Sequence, residues 1–151
     1  MTTANEILRF RPTTVSQKRR TPGPGKHNTV LIAGGAGFLG SHLCSRYLSY
    51  GCKVTCIDNL STGRLCNISH IMEHPRFNFL LHDIIDPIGT ETPFNYIFNM
   101  ACPASPPKYQ LDPIQTMKTN LYGAFNLLDL AAKHGARILQ ASTSEIYGDP
   151  E

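Results

Sequence analysis

The chain has 151 residues, 41% of them hydrophobic and 17% charged, with a formal net charge of +3. That length suits one domain and exceeds a disulfide-stapled miniprotein, the apolar content excludes a wholly disordered chain, and no apolar run approaches the roughly 18 residues of a membrane-spanning helix. The charge is unevenly placed: residues 1–27 carry six Lys/Arg (Arg9, Arg11, Lys18, Arg19, Arg20, Lys26) against Glu6, and the remainder carries eight basic against ten acidic side chains.

Residues 1–27 read as a flexible basic leader. Pro12, Pro22 and Pro24 interrupt it, Gly23 and Gly25 loosen it, and no helical or strand period survives. Lys18–Arg20 is short and has no interleaved aromatic residue, so a solvated segment is expected, with neither nucleic acid nor membrane as partner. An Arg-rich, acid-poor start is also a trait of mitochondrial transit peptides. The N-terminus has no uninterrupted apolar core of the kind export needs, which favours a cytoplasmic protein.

From Asn28 the pattern changes. Thr29-Val30-Leu31-Ile32-Ala33 is a short apolar run that stops at glycine, as a strand buried on both faces would. Leu39, Leu43 and Tyr47 then share one face of a predicted helix that Gly51 ends. Val54–Ile57 predicts a second buried strand and Phe77–Leu81 a third, with a short helix around Asn67–His74 between them. Tyr96-Ile97-Phe98 predicts a fourth. Asp112-Pro113 makes a helix start, with Asp as cap and Pro at the first helical position. Ile114, Met117, Leu121, Phe125, Leu128 and Ala132 form its apolar stripe, and Gly135 its C-terminal cap. Arg137–Ala141 predicts a fifth strand. Strands alternating with helices imply a doubly wound parallel sheet of about five strands, a Rossmann-like α/β fold with right-handed crossovers.

Gly34-Gly35-Ala36-Gly37-Phe38-Leu39-Gly40 follows a buried strand and opens a helix, the setting in which such a glycine pattern signals a dinucleotide. The early glycines allow a tight turn against a pyrophosphate, Gly40 lets the helix approach the sheet, and the helix N-terminus offers N–H groups to the anion. Asp58 stands just past the second strand, where a carboxylate accepts both adenosine ribose hydroxyls and repels a 2′-phosphate; this favours NAD over NADP, with Arg64 the nearby cation that argues the other way. Asp83 follows the third strand, where adenine would lie. The five cysteines, Cys44, Cys52, Cys56, Cys66 and Cys102, contain no CxxC pair, so no zinc site is expected and reduced, buried thiols are the default.

Further runs occur in order: Asp58-Asn59-Leu60-Ser61-Thr62-Gly63, His82-Asp83, Ala101-Cys102-Pro103-Ala104-Ser105-Pro106, Lys118-Thr119-Asn120 and Ser142–Pro150. With the glycine motif they resemble the extended short-chain dehydrogenase/reductases, and among these the UDP-glucuronate decarboxylase (UDP-xylose synthase) group, from about Val30 to the last residue. The glycine and Asp58 motifs are common to the superfamily; the ACPASP and STSEIYGDP runs are more specific. The resemblance implies a tightly bound NAD that oxidises C4 of UDP-glucuronate, loss of carbon dioxide from the 4-keto intermediate, and reduction to UDP-xylose. By position it implies that Gly34, Gly37, Phe38, Leu39, Gly40, Asp58, Asn59, Thr62, Gly63, Asp83, Ile84, Met100, Cys102, Thr119 and Ala141 line the cofactor. Lys118 and Asn126 would face the UDP-sugar; eight positions apart on one helix, they lie about 80° around its axis. Thr143 would bond the C4 oxygen, and Glu145 would act as an acid/base or orienting group. No metal is implied, and the full-length protein would be a homodimer.

The departures are as informative. The family takes its C4 proton with a Tyr whose Lys lies four residues later, close enough for the ammonium to lower the phenol pKa. Tyr147 is followed at that spacing by Glu151, and Pro150 disfavours a helix there. The Tyr-xxx-Lys segment and the substrate-binding half are missing, Ser61 replaces a usual aromatic, and the stretch near Gly89–Pro93 is slightly longer. Residues 28–151 are therefore expected to be an incomplete NAD-binding domain, inactive alone, and prone to self-association through uncovered surface. The alternative is a non-catalytic dinucleotide-binding module or a truncated remnant.

Overall fold

A computed structural model describes residues 27–148; residues 1–26, and with them nearly all of the expected leader 1–27, and Asp149, Pro150 and Glu151 lie outside the described residues. The five strands stand where the sequence places them: β1 (Thr29–Ala33), β2 (Lys53–Asp58), β3 (Phe77–Leu81), β4 (Tyr96–Asn99) and β5 (Arg137–Gln140). They form one parallel sheet in the order β3-β2-β1-β4-β5. Helix α1 (Phe38–Ser49) links β1 to β2. After β4 come a short α2 (Pro106–Tyr109), α3 (Pro113–Lys118), a π-helical turn (Thr119–Gly123) and α4 (Ala124–His134).

β1 lacks polar alternation because both of its faces are covered. Val30 and Ile32 pack with Cys44 and Leu48 of α1, whereas Leu31 and Ala33 pack with Leu127, Leu130 and Ala131 of α4. Full burial of each large aliphatic side chain contributes roughly 1.5–3 kcal/mol. The chain moves outward from β1 to β3, then crosses back to β4. The order therefore reverses between β1 and β4, the place where open α/β sheets leave a crevice.

Asp112 caps α3 as expected, its carboxylate accepting the Gln115 N–H at 2.9 Å, with Pro113 in the first helical turn. Gly135 takes the left-handed conformation (φ +63°) that ends α4. The helix expected around Asn67–His74 is instead two single 3₁₀ turns, Leu65–Asn67 and Ser69–Ile71.

Three other expectations are corrected. The buried face of α1 is Gly40, Ser41, Cys44 and Leu48, about one position round from the Leu39, Leu43, Tyr47 face; Leu39 is exposed. Small residues win that face because they let the helix close on the sheet. On the later helix the expected apolar stripe points away from the sheet: Ile114, Met117, Leu121, Phe125 and Leu128 are all exposed. The buried side is instead Thr119, Gly123, Leu127, Leu130 and Ala131; at Gly123 the helix comes so near that an added Cβ would meet the tip of the Ile84 side chain. Finally, only Cys44, Cys52 and Cys56 are buried; Cys66 and Cys102 are exposed. Hydrogen bonding with Cys56, then burial, raises the Cys44 pKa, and burial raises that of Cys52, so both act as neutral, apolar fillers.

Candidate dinucleotide site

The motif residues converge on the edge of the sheet where the parallel strands end. Gly34 follows β1, Asp58 ends β2, Asp83 follows β3, Met100 and Cys102 follow β4, and Ala141 and Thr143 follow β5. The turn after β1 is held from below: the Gly34 and Gly35 N–H groups both donate to the Ile57 carbonyl, at 2.8 and 3.3 Å. Gly34 has φ +73°, and a Cβ there would lie 2.7 Å from the Met100 carbonyl oxygen. Gly40, in the first turn of α1, lies so close to the Gly34 carbonyl that a Cβ would strike it. The sheet and helix thus touch backbone to backbone.

Gly37 is the N-cap of α1 and supplies no side-chain cap. The first-turn N–H groups and the helix dipole are thereby left to an anion. Phe38 and Leu39 are 76% and 59% exposed beside them, an apolar flank to these N–H groups.

Asp58 is buried, with one oxygen accepting the Ala36 N–H (2.9 Å) and the other the Leu60 N–H (2.8 Å). It fastens the glycine turn to the loop after β2, where Leu60 takes a positive φ of 59°. Gly63 returns so near that a Cβ would sit 2.7–2.8 Å from the carboxylate oxygens. A carboxylate offers about four acceptor positions, so two remain for the paired hydroxyls of a ribose. Asn59 and Thr62 are exposed on the same loop. Asp83 accepts from Asn59 Nδ2 at 2.8 Å and from the Ile85 N–H at 3.1 Å. A helix N-terminus with no side-chain cap, a glycine-rich turn and a carboxylate with two acceptors to spare fit the pyrophosphate and ribose of NAD.

The remaining sequence candidates spread along the opening. Cys102 is exposed, with its thiol toward the Pro103 carbonyl. Met100 lines a shallow groove with Leu39, Leu43 and Arg46 of α1. Thr119 is buried and its hydroxyl donates to the Gln115 carbonyl (2.9 Å), while Ile84 is buried beneath Gly123. The Ala141 N–H donates to the Asn99 carbonyl at 3.0 Å, extending the β4–β5 ladder. Lys118 is exposed; Asn126 is half-buried and donates to the Ile84 carbonyl at 2.8 Å. The π turn between them inserts one residue, which turns the later position back by about 100° and reduces their angular separation from about 80° to about 20°. Thr143 is exposed beyond β5, and Glu145 sits in the single turn Ser144–Tyr147, its side chain outside the described residues.

Two contributors had not been singled out. Asn67 donates to the Ala36 carbonyl (2.8 Å), where the Arg64 N–H also donates (3.0 Å), tying a distant segment to the glycine turn. Gln115 donates to Asp83 at 3.3 Å. Nothing local marks Asn67, whereas Gln115 stands three residues after its helix cap, a recognisable position.

A family model described as the NAD dependent epimerase/dehydratase family matches residues 30–151. UDP-glucuronic acid decarboxylase 1 of Danio rerio is 49% identical over 122 residues, which is 81% of this chain and 29% of that protein. UDP-glucuronic acid decarboxylase 1 of Arabidopsis thaliana is 46% identical over 125 residues, 83% of this chain and 28% of that protein. The chain therefore spans under a third of these relatives. Among solved structures, a UDP-galactose 4-epimerase superposes with a TM-score of 0.69 at 30% identity, over 82% of this chain and 41% of its own. A UDP-glucose 4-epimerase from Thermotoga maritima, solved with UDP-glucose, gives 0.70 at 30% identity, over 82% and 40%.

Proposed function

Because the chain belongs to the NAD dependent epimerase/dehydratase family, we propose that it is the NAD-binding portion of a nucleotide-sugar enzyme that converts UDP-glucuronate to UDP-xylose and carbon dioxide. In this reading residues 28–151 are an incomplete Rossmann domain and residues 1–27 its leader. The observation that carries the reading is the glycine turn clamped to Asp58 at the crevice between β1 and β4. The likeness to decarboxylases at 49% identity over 122 residues supports the choice of reaction.

When bound, NAD supplies an acceptor for the C4 hydride and returns it after decarboxylation. The chain's own residues bind and orient. Gly34, Gly37, Phe38, Leu39 and Gly40 hold the pyrophosphate, Asp58 with Asn59, Thr62 and Gly63 the ribose, and Asp83 with Ile84 the adenine. Met100, Cys102, Thr119 and Ala141 complete the wall. Lys118 and Asn126 hold the UDP-sugar. Thr143 donates a hydrogen bond to the C4 oxygen, and Glu145 orients the sugar or exchanges a proton with it. A hydroxyl such as that of Thr143 is too weakly basic to take the C4 proton alone.

No tyrosine in the 151 residues has a lysine four positions later, so these residues lack the Tyr-xxx-Lys pair that would take the C4 proton. The purified chain is expected to bind NAD in a calorimetric titration yet to form no UDP-xylose from UDP-glucuronate and NAD. Steady product would overturn the second statement, and no NAD binding would overturn the reading itself.

The whole protein acts as a homodimer in this reading. Ile114, Met117, Leu121, Phe125 and Leu128 are 47–69% exposed and recur at intervals of three and four. Such a seam suits a second helix of the same kind. Leu121→Glu with Phe125→Glu is expected to move the chain from a dimer or larger species to a monomer in sizing chromatography. An unchanged elution volume would place the contact elsewhere. Neighbouring Cys44 and Cys56 thiols support a reducing compartment, and we place the protein in the cytoplasm. Among the described residues no helix is long and apolar enough to cross a membrane.

A further inference from the structure

Asp112-Pro113-Ile114-Gln115 has the spacing of a capping box, in which the third helical side chain turns back to the cap. Asp112 plays its part by accepting the Gln115 N–H. The Gln115 side chain goes elsewhere: its Nε2 donates to Asp83 Oδ2 at 3.3 Å, 32 positions away. The same oxygen accepts Asn59 Nδ2 at 2.8 Å, and Oδ1 accepts the Ile85 N–H at 3.1 Å. The segments after β2 and β3 and the start of α3 thus meet on one carboxylate.

A carboxylate offers about four acceptor positions. Asn59 and Gln115 fill the two on Oδ2, Ile85 fills one on Oδ1, and a single position on Oδ1 is left. We infer that Gln115 is a positioning residue: with Asn59 it fixes the Asp83 carboxylate so that its last acceptor takes one N–H donor, the exocyclic amino group of an adenine. This rests on the dinucleotide reading above and adds to it a device for choosing the base. A purine with oxygen at that place would set one acceptor against another, and selectivity of this kind comes from the mismatch it creates for the wrong ligand. Two side-chain amides on one oxygen stop the carboxylate from turning to relieve that mismatch. Without Gln115, a second acceptor opens on Oδ2 and the carboxylate is tethered by fewer partners.

The test is calorimetric titration of the whole chain with NAD and with nicotinamide hypoxanthine dinucleotide, in which oxygen replaces the amino group. Gln115→Met keeps the length and helix preference but removes the donor. It is expected to weaken NAD about tenfold and the analogue less than about threefold, so the preference for adenine shrinks. Asp83→Asn, of nearly the same shape, is expected to abolish the preference and serves if Gln115→Met does not fold. Equal weakening of both ligands by Gln115→Met, no change in either, or a preference that survives Asp83→Asn overturns the inference while leaving NAD binding intact. Failure of the unsubstituted chain to bind NAD removes the dinucleotide reading and the inference with it.

Discussion

Replacing Asp58 with alanine is expected to weaken NAD binding about a hundredfold and to erase the preference for NAD over NADP. Asp58 spends one acceptor on the Ala36 N–H and one on the Leu60 N–H, which leaves two for a vicinal diol. Each hydrogen bond to a charged acceptor contributes about 1.5–3 kcal/mol, so losing two costs about 3 kcal/mol or more, a factor of about a hundred. For NADP the balance differs. The carboxylate repels a 2′-phosphate, and its removal leaves Arg64, exposed and joined to the glycine turn through its own N–H, as the local charge. The variant should bind the two dinucleotides within about threefold of each other. Loss of the two backbone bonds will also loosen the turn, but that weakens both ligands alike. The ratio from paired calorimetric titrations therefore reports the ribose contact, and an unchanged ratio would exclude Asp58 from it.

Gly40→Ala is expected to lower stability by about 3 kcal/mol and the melting temperature by about 10 °C. Glycine to alanine within a helix ordinarily stabilises by up to about 1 kcal/mol. Here the sign reverses, because the added carbon would strike the Gly34 carbonyl and lie 2.7 Å from the Gly35 Cα. Backbone atoms in a turn held by two hydrogen bonds to Ile57 cannot swing aside as a side-chain tip can. Relief comes only if α1 lifts from the sheet, which uncovers Cys44 and Leu48 and widens the anion site. Gly89→Ala is the control: nothing lies within 4 Å of its built Cβ, so the change should stay within about 0.5 kcal/mol. Paired circular dichroism melts measure both. Equal melting temperatures would mean that helix and turn are not in contact.

The sheet and the glycine turn after β1 could be read from the sequence because their signals are local. A five-residue apolar run such as Thr29–Ala33 has few folds available, and glycines at fixed offsets constrain the backbone wherever they stand. Asp58 and the Asp112 cap were visible for the same reason. Helix orientation was not. The segment from Ile114 to Ala132 carries two apolar faces, and its period cannot say which meets the sheet. The face that meets it is the one carrying Leu127, Leu130 and Ala131, which pack on Leu31, Ala33 and Ile97, contacts between distant positions. Gln115 and Asn67 escaped notice likewise, since each matters through a partner more than 30 positions away. Cys66 and Cys102 were expected in the core on composition, yet the segments that carry them run over the surface.

The π turn at Thr119–Gly123 also restricts how the chain can change in length. Deleting one residue there would close an ordinary helical ladder, a local gain in hydrogen-bond geometry. It would also swing everything downstream by about 100°, carrying Leu127, Leu130 and Ala131 off the strands they cover. The two halves of the helix are geared at a set phase, Thr119 on one side of the notch and Leu127 on the other. Point changes can accumulate on either half, whereas a one-residue deletion must be matched by an insertion within the same turn or the layer over β4 and β5 is lost.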